Sequence, residues 1–228
     1  MKSLAVHIGS QLLELSPYKS AYEKIAEMTR YLRSTGHEIS HLDLGGGLGI
    51  PYSDESLADL NAYNQIILET VGDLDCKLSI EPGRYLVGEA GILITRVIYI
   101  KQGEQKKFVI VDGAMNDLIR PTLYDGFHAI VPVTEKNLSS QKSLCDVVGP
   151  ICESGDYFAK DRMLPEVSQN DLLAIACSGA YGAVMASNYN SRPLIPEVLV
   201  SNDVFSVIRE RQAFEKIIQD EKLAAWLQ

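Results

Sequence analysis

Apolar positions in the first part of the chain alternate between short continuous runs and helical spacing. Leu4 to Ile8 (LAVHI) is a short apolar run with β-branched residues, the pattern of a buried strand. Ser16-Pro17 reads as a helix N-cap followed by a proline at the first helical position. Tyr22, Ile25, Met28 and Leu32 follow at helical spacing, and Gly36 stops the helix. His41 to Leu44 (HLDL) is a second strand. Ser56 to about Thr70 is a second helix, with Leu57, Leu60, Ile67 and Leu68 on one side. Lys77 to Glu81 (KLSIE) is a third strand. The order β-α-β-α-β predicts a parallel sheet.

The pattern changes near Gly91. ILITRVIYI, KKFVIVDG, HAIVPVT, CDVVGPI, DLLAIACS and PEVLVS are short strand-like runs separated by turn residues, with little helix between them. They predict an antiparallel β domain. Val204, Ile208, Phe214, Ile217 and Ile218 predict a helical end over Asp203 to Gln228. The expected division is residues 1–90, α/β, and residues 91–228, mainly antiparallel β with a C-terminal helix.

Composition narrows the function. The 228 residues are enough for one large domain or two modest ones, and 46% hydrophobic with 22% charged residues is ordinary for a globular protein. The net charge of −9 argues against nucleic acid or an anionic membrane as partner, because both need a basic face. It leaves room for a phosphorylated small ligand. Cys76, Cys145, Cys152 and Cys177 form no C-x-x-C pair and no Cys/His cluster with metal-ligand spacing. A reducing, cytoplasmic compartment and no metal are expected. The opening MKSLAVHIG lacks the apolar core of a signal peptide.

The three early strands place their unusual residues at their carboxyl ends. His7 stands with Gly9-Ser10, Gly45, Gly46 and Gly47 follow HLDL, and Glu81-Pro82-Gly83-Arg84 follow KLSIE. Parallel α/β folds keep their sites at that end. Three consecutive glycines mean a very tight turn or a close approach. A dinucleotide fingerprint fails, because its last glycine position is Ile50. Backbone N–H groups of a glycine loop, with Gly83-Arg84 on the neighbouring strand end, suit a phosphate. The alternative is a tight turn with no ligand.

Six motifs then appear in order: HIGSQ (7–11), LDLGGGLGIPY (42–52), EPGRYLVGEAG (81–91), LIRPTLY (118–124), GPICESGD (149–156) and SGAYG (178–182). Together they resemble the carboxyl-terminal half of the diaminopimelate decarboxylase family. Those enzymes depend on pyridoxal phosphate and join an alanine-racemase-like barrel to a β domain. The resemblance implies a partial (β/α) TIM-type barrel, its last three βα units, followed by an antiparallel β-barrel or sandwich.

It also implies roles. His7 would stack on the cofactor ring, and Ser10 with Gly45 to Gly47 would hold its phosphate, Gly83 and Arg84 adding to the cofactor site. Glu81 would pair with the pyridine nitrogen and keep it protonated, so that the ring acts as an electron sink. Arg84, Arg120 and Tyr124 would grip a substrate carboxylate, to which an arginine fork is matched. Arg120 and Tyr124 are four apart, so a helical turn would put them on one face. Cys152 would return a proton to the substrate's α-carbon, and Glu153 would take the distal ammonium. Tyr181 would touch phosphate and substrate. Each residue has a plainer reading beside this one. His7 would be structural, Glu81 a cap or an ion-pair partner of Arg84, Arg120 a surface ion pair, Cys152 inert packing and Tyr181 an ordinary buried tyrosine.

Arg120 and Glu153 together would pair both charges at the far end of meso-diaminopimelate, which argues against ornithine or arginine. The lysine that forms the family's Schiff base lies earlier in the family's chain, and the resemblance begins after it. The expectation is therefore a truncated chain, inactive alone, that would work as a homodimer with shared active sites. The alternatives are a noncatalytic binding or dimerisation fragment, and a related diamine decarboxylase or racemase.

Overall fold

The computed structural model describes residues 2–227. The chain divides into two compact units, Met1–Ile92 and Leu93–Gln228.

In the first unit, β1 (Ser3–Ala5), β2 (His41–Gly46) and β3 (Lys77–Glu81) form a parallel sheet in the order β1-β2-β3. Leu42 stands level with Leu4 on one side and Leu78 on the other. Helix α1 (Ser16–Ser34) joins β1 to β2, α2 (Leu60–Val71) joins β2 to β3, and the short α3 (Gly83–Val87) follows β3. The expected β-α-β-α-β order is observed.

The helix ends differ from expectation. Leu15, not Ser16, is the N-cap of α1 and makes no side-chain cap, so Ser16 and Pro17 lie inside the first turn. Asp59 caps α2 by accepting from Asn61 N at 2.8 Å, so that helix starts four residues after Ser56. Gly36 ends α1 as expected. Its φ is +88°, its N–H donates to Arg33 O, and His37 N–H donates to Leu32 O. That 5→2 and 6→1 pair is a Schellman closure, which needs the left-handed residue that glycine supplies.

Helix α1 buries Tyr18, Tyr22, Ile25, Ala26 and Thr29, while Met28 is half exposed. Helix α2 buries Tyr63, Thr70 and Val71; Leu57, Leu60 and Leu68 face out. The buried stripe thus runs one position aside from the expected one, because it follows the tyrosines. Tyr18, Tyr22 and Tyr63 pack with ring centroids 5.3–6.3 Å apart. Tyr22 Oη donates to Leu44 O at 3.2 Å. It lies 2.7 Å from Tyr63 Oη, whose hydroxyl therefore donates to it. Tyr18 Oη donates to Gly46 O at 3.3 Å. Burial pushes the Tyr18 phenol up to about 12 and raises those of Tyr22 and Tyr63.

The second unit holds a six-stranded sheet in the order β6-β9-β4-β5-β7-β8. Its strands are β4 (Leu93–Gln102), β5 (Lys107–Val111), β6 (Ile130–Pro132), β7 (Lys142–Val148), β8 (Tyr157–Pro165) and β9 (Leu172–Ile175). Strand β4 pairs with β9 through residues 93–96 and with β5 through residues 97–102. Strands β5 and β7 run parallel, so the sheet is mixed rather than antiparallel as expected. The end strands β6 and β8 also approach each other. Arg162 on β8 donates to His128 O, just before β6, at 2.8 Å and lies 4.0 Å from the Phe127 ring. The sheet thus curls toward closure over a core that includes Val97, Val109, Val147, Phe158, Leu173 and Ile175.

The local pattern hides two strands of this unit. Strand β8 carries Lys160, Asp161 and Arg162 in its middle. Asp161 has φ +48° and sits in a bulge, where Lys106 bridges Asp146 and Asp161 at 3.1 and 3.0 Å. The expected C-terminal helix is instead β11 (Val204–Arg209), paired antiparallel with β10 (Glu197–Ser201). Asn202 and Asp203 form a two-residue hairpin turn, with Asn202 at φ +50°. VFSVI is a compact β-branched and aromatic run, and that outweighs the four-residue spacing of Val204 and Ile208. Only Glu215–Ile218 forms an α-helical turn beyond it, and Gln228 lies outside the described residues.

Candidate active site

The first unit gathers its polar residues at the carboxyl ends of β1, β2 and β3. Strand β2 runs into the glycines, with Gly46 opposite Glu81 in the register. A Cβ on Gly45 would run into Val6 O, one on Gly46 into Glu81 O and one on Gly47 into Gly9 O. Gly45 and Gly47 also have φ of +71° and +96°. The glycines are therefore needed first to let three strand ends approach one another. Gly45 N–H donates to Asp43 Oδ1 at 2.8 Å, and Gly46 N–H lies 3.4 Å from His7 Nδ1.

Around this floor His7, Ser10, Glu81 and Gly83 are exposed and Arg84 is half-buried. Arg84 Nη2 donates to Ser10 Oγ at 3.2 Å, and Nη1 donates to the hydroxyl of the buried Tyr52. A Cβ on Gly83 would meet nothing within 4 Å. Tyr52, Asp43 and Tyr18 went unnoticed in the sequence, although Tyr52 lies inside the quoted LDLGGGLGIPY. The lysines of this unit are Lys2, Lys19, Lys24 and Lys77, and none lies at the carboxyl end of a strand.

The second unit holds the remaining candidates. Helix α4 (Arg120–Tyr124) contains both Arg120 and Tyr124. Arg120 is buried while Tyr124 is exposed, so the two do not share one environment as the spacing suggested. Cys152 is exposed in a turn, and all four cysteines are free thiols. The loop around it hangs on Asp156. Its buried carboxylate accepts from Met115 N at 2.7 Å and Ile151 N at 2.6 Å. Glu153 accepts from Gly155 N–H at 3.0 Å and from the Tyr189 hydroxyl at 3.1 Å. The Gly155 N–H and then the Tyr189 hydroxyl hold its carboxyl below the usual carboxylate range, so it is an anion near neutrality. Tyr181 has φ +60° and is partly exposed in the SGAYG loop, not a buried tyrosine. Asp156, Tyr189 and His128 are missed by sequence reasoning, because their partners lie far along the chain or on another element. Among the described residues, no group of three or more His, Cys, Asp and Glu could hold a metal ion. No helix among them is long and apolar enough to cross a membrane.

The model of the pyridoxal-dependent decarboxylase C-terminal sheet domain matches residues 20–179. The chain belongs to the pyridoxal-dependent decarboxylases. It is 46% identical over its whole length to the diaminopimelate decarboxylase of Zymomonas mobilis, covering 54% of that protein. It is 49% identical over 94% of its length to that of Neisseria meningitidis serogroup A, covering 52%. The crystal structure of the Helicobacter pylori diaminopimelate decarboxylase complexed with L-lysine superposes with a TM-score of 0.90. That match has 46% identity and covers 96% of this chain and 54% of that one. The chain thus spans about half the length of the curated relatives it matches.

Proposed function

We propose that this chain supplies the carboxyl-terminal half of a diaminopimelate decarboxylase, converting meso-diaminopimelate to L-lysine and carbon dioxide. What carries the reading is the cluster of His7, Ser10, Glu81 and Arg84 around a glycine floor at one end of a parallel sheet. It occurs in a chain whose relatives at 46–49% identity bear that name. The three βα units are then part of a (β/α) barrel, with the second unit its β domain.

The residues fit pyridoxal phosphate. The glycine floor admits no side chain, and the Ser10 hydroxyl and Arg84 guanidinium beside it are donors suited to a phosphate. His7 offers an imidazole face to the ring, and the exposed Glu81 carboxylate a partner for its nitrogen. When bound, the cofactor supplies an electron sink for the pair left as carbon dioxide departs.

The chain's own groups do the rest. Arg120 forks onto the distal carboxylate of the substrate, and the exposed Tyr124 and Tyr181 supply further substrate contacts. Glu153, held as an anion, takes the distal ammonium. The Cys152 thiol gives its proton to the substrate's α-carbon, and the thiolate left behind takes one back from water. Cys152 and Glu153 serve the site of the other subunit in a homodimer. The acidic chain carries no nucleic-acid or membrane role in this reading, and its setting is the cytoplasm.

The lysine positions favour a second reading, in which this chain alone is a noncatalytic binding or dimerisation module. One experiment separates the two. The chain is assayed alone, and also joined to the part of the Zymomonas mobilis relative that it does not match, here termed the completed enzyme. With added pyridoxal phosphate, the completed enzyme should release L-lysine from meso-diaminopimelate, and the chain alone should release none and retain no borohydride-fixed cofactor. An inactive completed enzyme that folds and binds the cofactor would favour the module.

A further inference from the structure

Arg120 is 7% exposed and His128 is fully buried, a cation beside a titratable ring. The local fold brings them together. Asp125 at φ +51° ends α4, Gly126 N–H returns to Arg120 O at 3.1 Å, and the chain doubles back so that His128 meets Arg120. Arg120 Nη1 lies 2.7 Å from His128 Nε2, and His128 Nδ1 lies 2.8 Å from Ala176 O.

Chemistry then fixes the proton. A guanidinium only donates, so Nε2 must carry a lone pair; a carbonyl only accepts, so Nδ1 must carry the hydrogen. The ring is the neutral Nδ1–H tautomer. Its main chain is held by Arg162 donating to His128 O and, at the next residue, by Ala176 N–H donating to Ala129 O at 2.9 Å.

We propose that His128 is a positioning residue, a neutral acceptor tethered to the end of β9 that fixes the guanidinium plane of Arg120 for a ligand carboxylate. This rests on the reading of Arg120 as the carboxylate grip. With one N–H committed to His128, the plane of the guanidinium is set, and the fork that a carboxylate needs is presented in one orientation.

Two substitutions test it in the completed enzyme. His128→Gln keeps both functions, its amide oxygen accepting from Arg120 and its NH₂ donating to Ala176 O. His128→Leu keeps bulk and loses both. The ligands are L-lysine, which retains the distal carboxylate, and cadaverine, which lacks it. Calorimetry should show His128→Leu binding L-lysine on the order of tenfold to a hundredfold more weakly, the effect of one lost charge-assisted contact. Cadaverine affinity should be unchanged, and His128→Gln should restore L-lysine binding to within roughly threefold of the parent. Nitrogen-15 spectra should show one imidazole, absent in His128→Gln, with Nδ1 protonated and Nε2 bare. An imidazolium or the opposite tautomer overturns the inference. So does an equal loss for both ligands in His128→Leu, which would mark a merely structural residue. If Arg120→Ala weakens L-lysine while His128→Leu does not, the positioning role alone falls. If Arg120→Ala leaves L-lysine untouched, the carboxylate reading falls and takes this inference with it.

Discussion

The two units hold their polar residues in opposite ways. In the first, His7, Ser10 and Glu81 stand exposed at strand ends, and the buried groups behind them are uncharged tyrosines whose hydroxyls reach Leu44 O and Gly46 O. In the second, Arg120, His128, Asp117 and Asp156 are buried, each with a matched donor or acceptor. Burying a charge is costly unless it is paired, so every such group in the second unit is tied to its surroundings. The first unit shapes a floor and leaves its candidate groups on the surface; the second buries Arg120 in its core while Cys152, Glu153, Tyr124 and Tyr181 stay exposed. Substitutions in the first should therefore separate folding from binding, and those in the second should often disturb both.

The largest expected effect is at an exposed candidate of the second unit. Cys152→Ala in the completed enzyme should slow turnover on the order of a hundredfold or more, the contribution of a positioned proton donor. Cofactor affinity should be unchanged, and products protonated at the wrong atom should increase. Normal kcat with clean L-lysine would leave Cys152 as packing and erase the catalytic half of the contrast.

Gly46→Ala tests the floor of the first. Its Cβ meets Glu81 O, a backbone atom that cannot rotate away, so the first unit should lose about 3 kcal/mol by denaturant titration. Gly83→Ala, with open space at its Cβ, should change stability by no more than about 0.5 kcal/mol. Equal costs at the two sites would show that close approach of the strands is not what selects the glycines.

Alkali should reach the first unit through its tyrosines. Their folded-state pKa values are raised above the unfolded value of about 10, so their contribution is whole below pH ~10. It drains as pH rises through the folded values, near 12 for Tyr18. Tyr22→Phe, which removes the hydroxyl shared by Tyr63 and Leu44 O, should cost about 1–2 kcal/mol near neutrality. It should also flatten part of the alkaline loss seen by tyrosine absorbance. An unaltered alkaline transition would place its origin elsewhere.

The same contrast explains what was legible in the sequence. The parallel β-α-β-α-β order, the strand-end residues and the Gly36 stop are written within a few neighbouring positions, and all three appear in the structure. The second unit depends on contacts far apart along the chain. Met115 meets Asp156 across 41 positions, Asn116 meets Ser187 across 71, and Arg192 meets Asp112 across 80. No local period announces those pairs, nor the parallel β5–β7 pairing. Strand β8 carries charges in its middle where a bulge interrupts the pairing, and β11 follows a short Asn202-Asp203 turn inside a run whose spacing also fits a helix. Tyr189 escaped because its partner Glu153 is 36 positions away.

The account stands most directly on Arg120. In the completed enzyme, Arg120→Ala should remove a charge-assisted pair with the distal carboxylate of meso-diaminopimelate, about 1.5–3 kcal/mol. The measurement is kcat/KM for that substrate, and a fall of about tenfold to a hundredfold is predicted, carried mainly by KM. An unchanged kcat/KM in a folded, cofactor-loaded variant would contradict the assignment of the substrate grip to the buried side of the second unit.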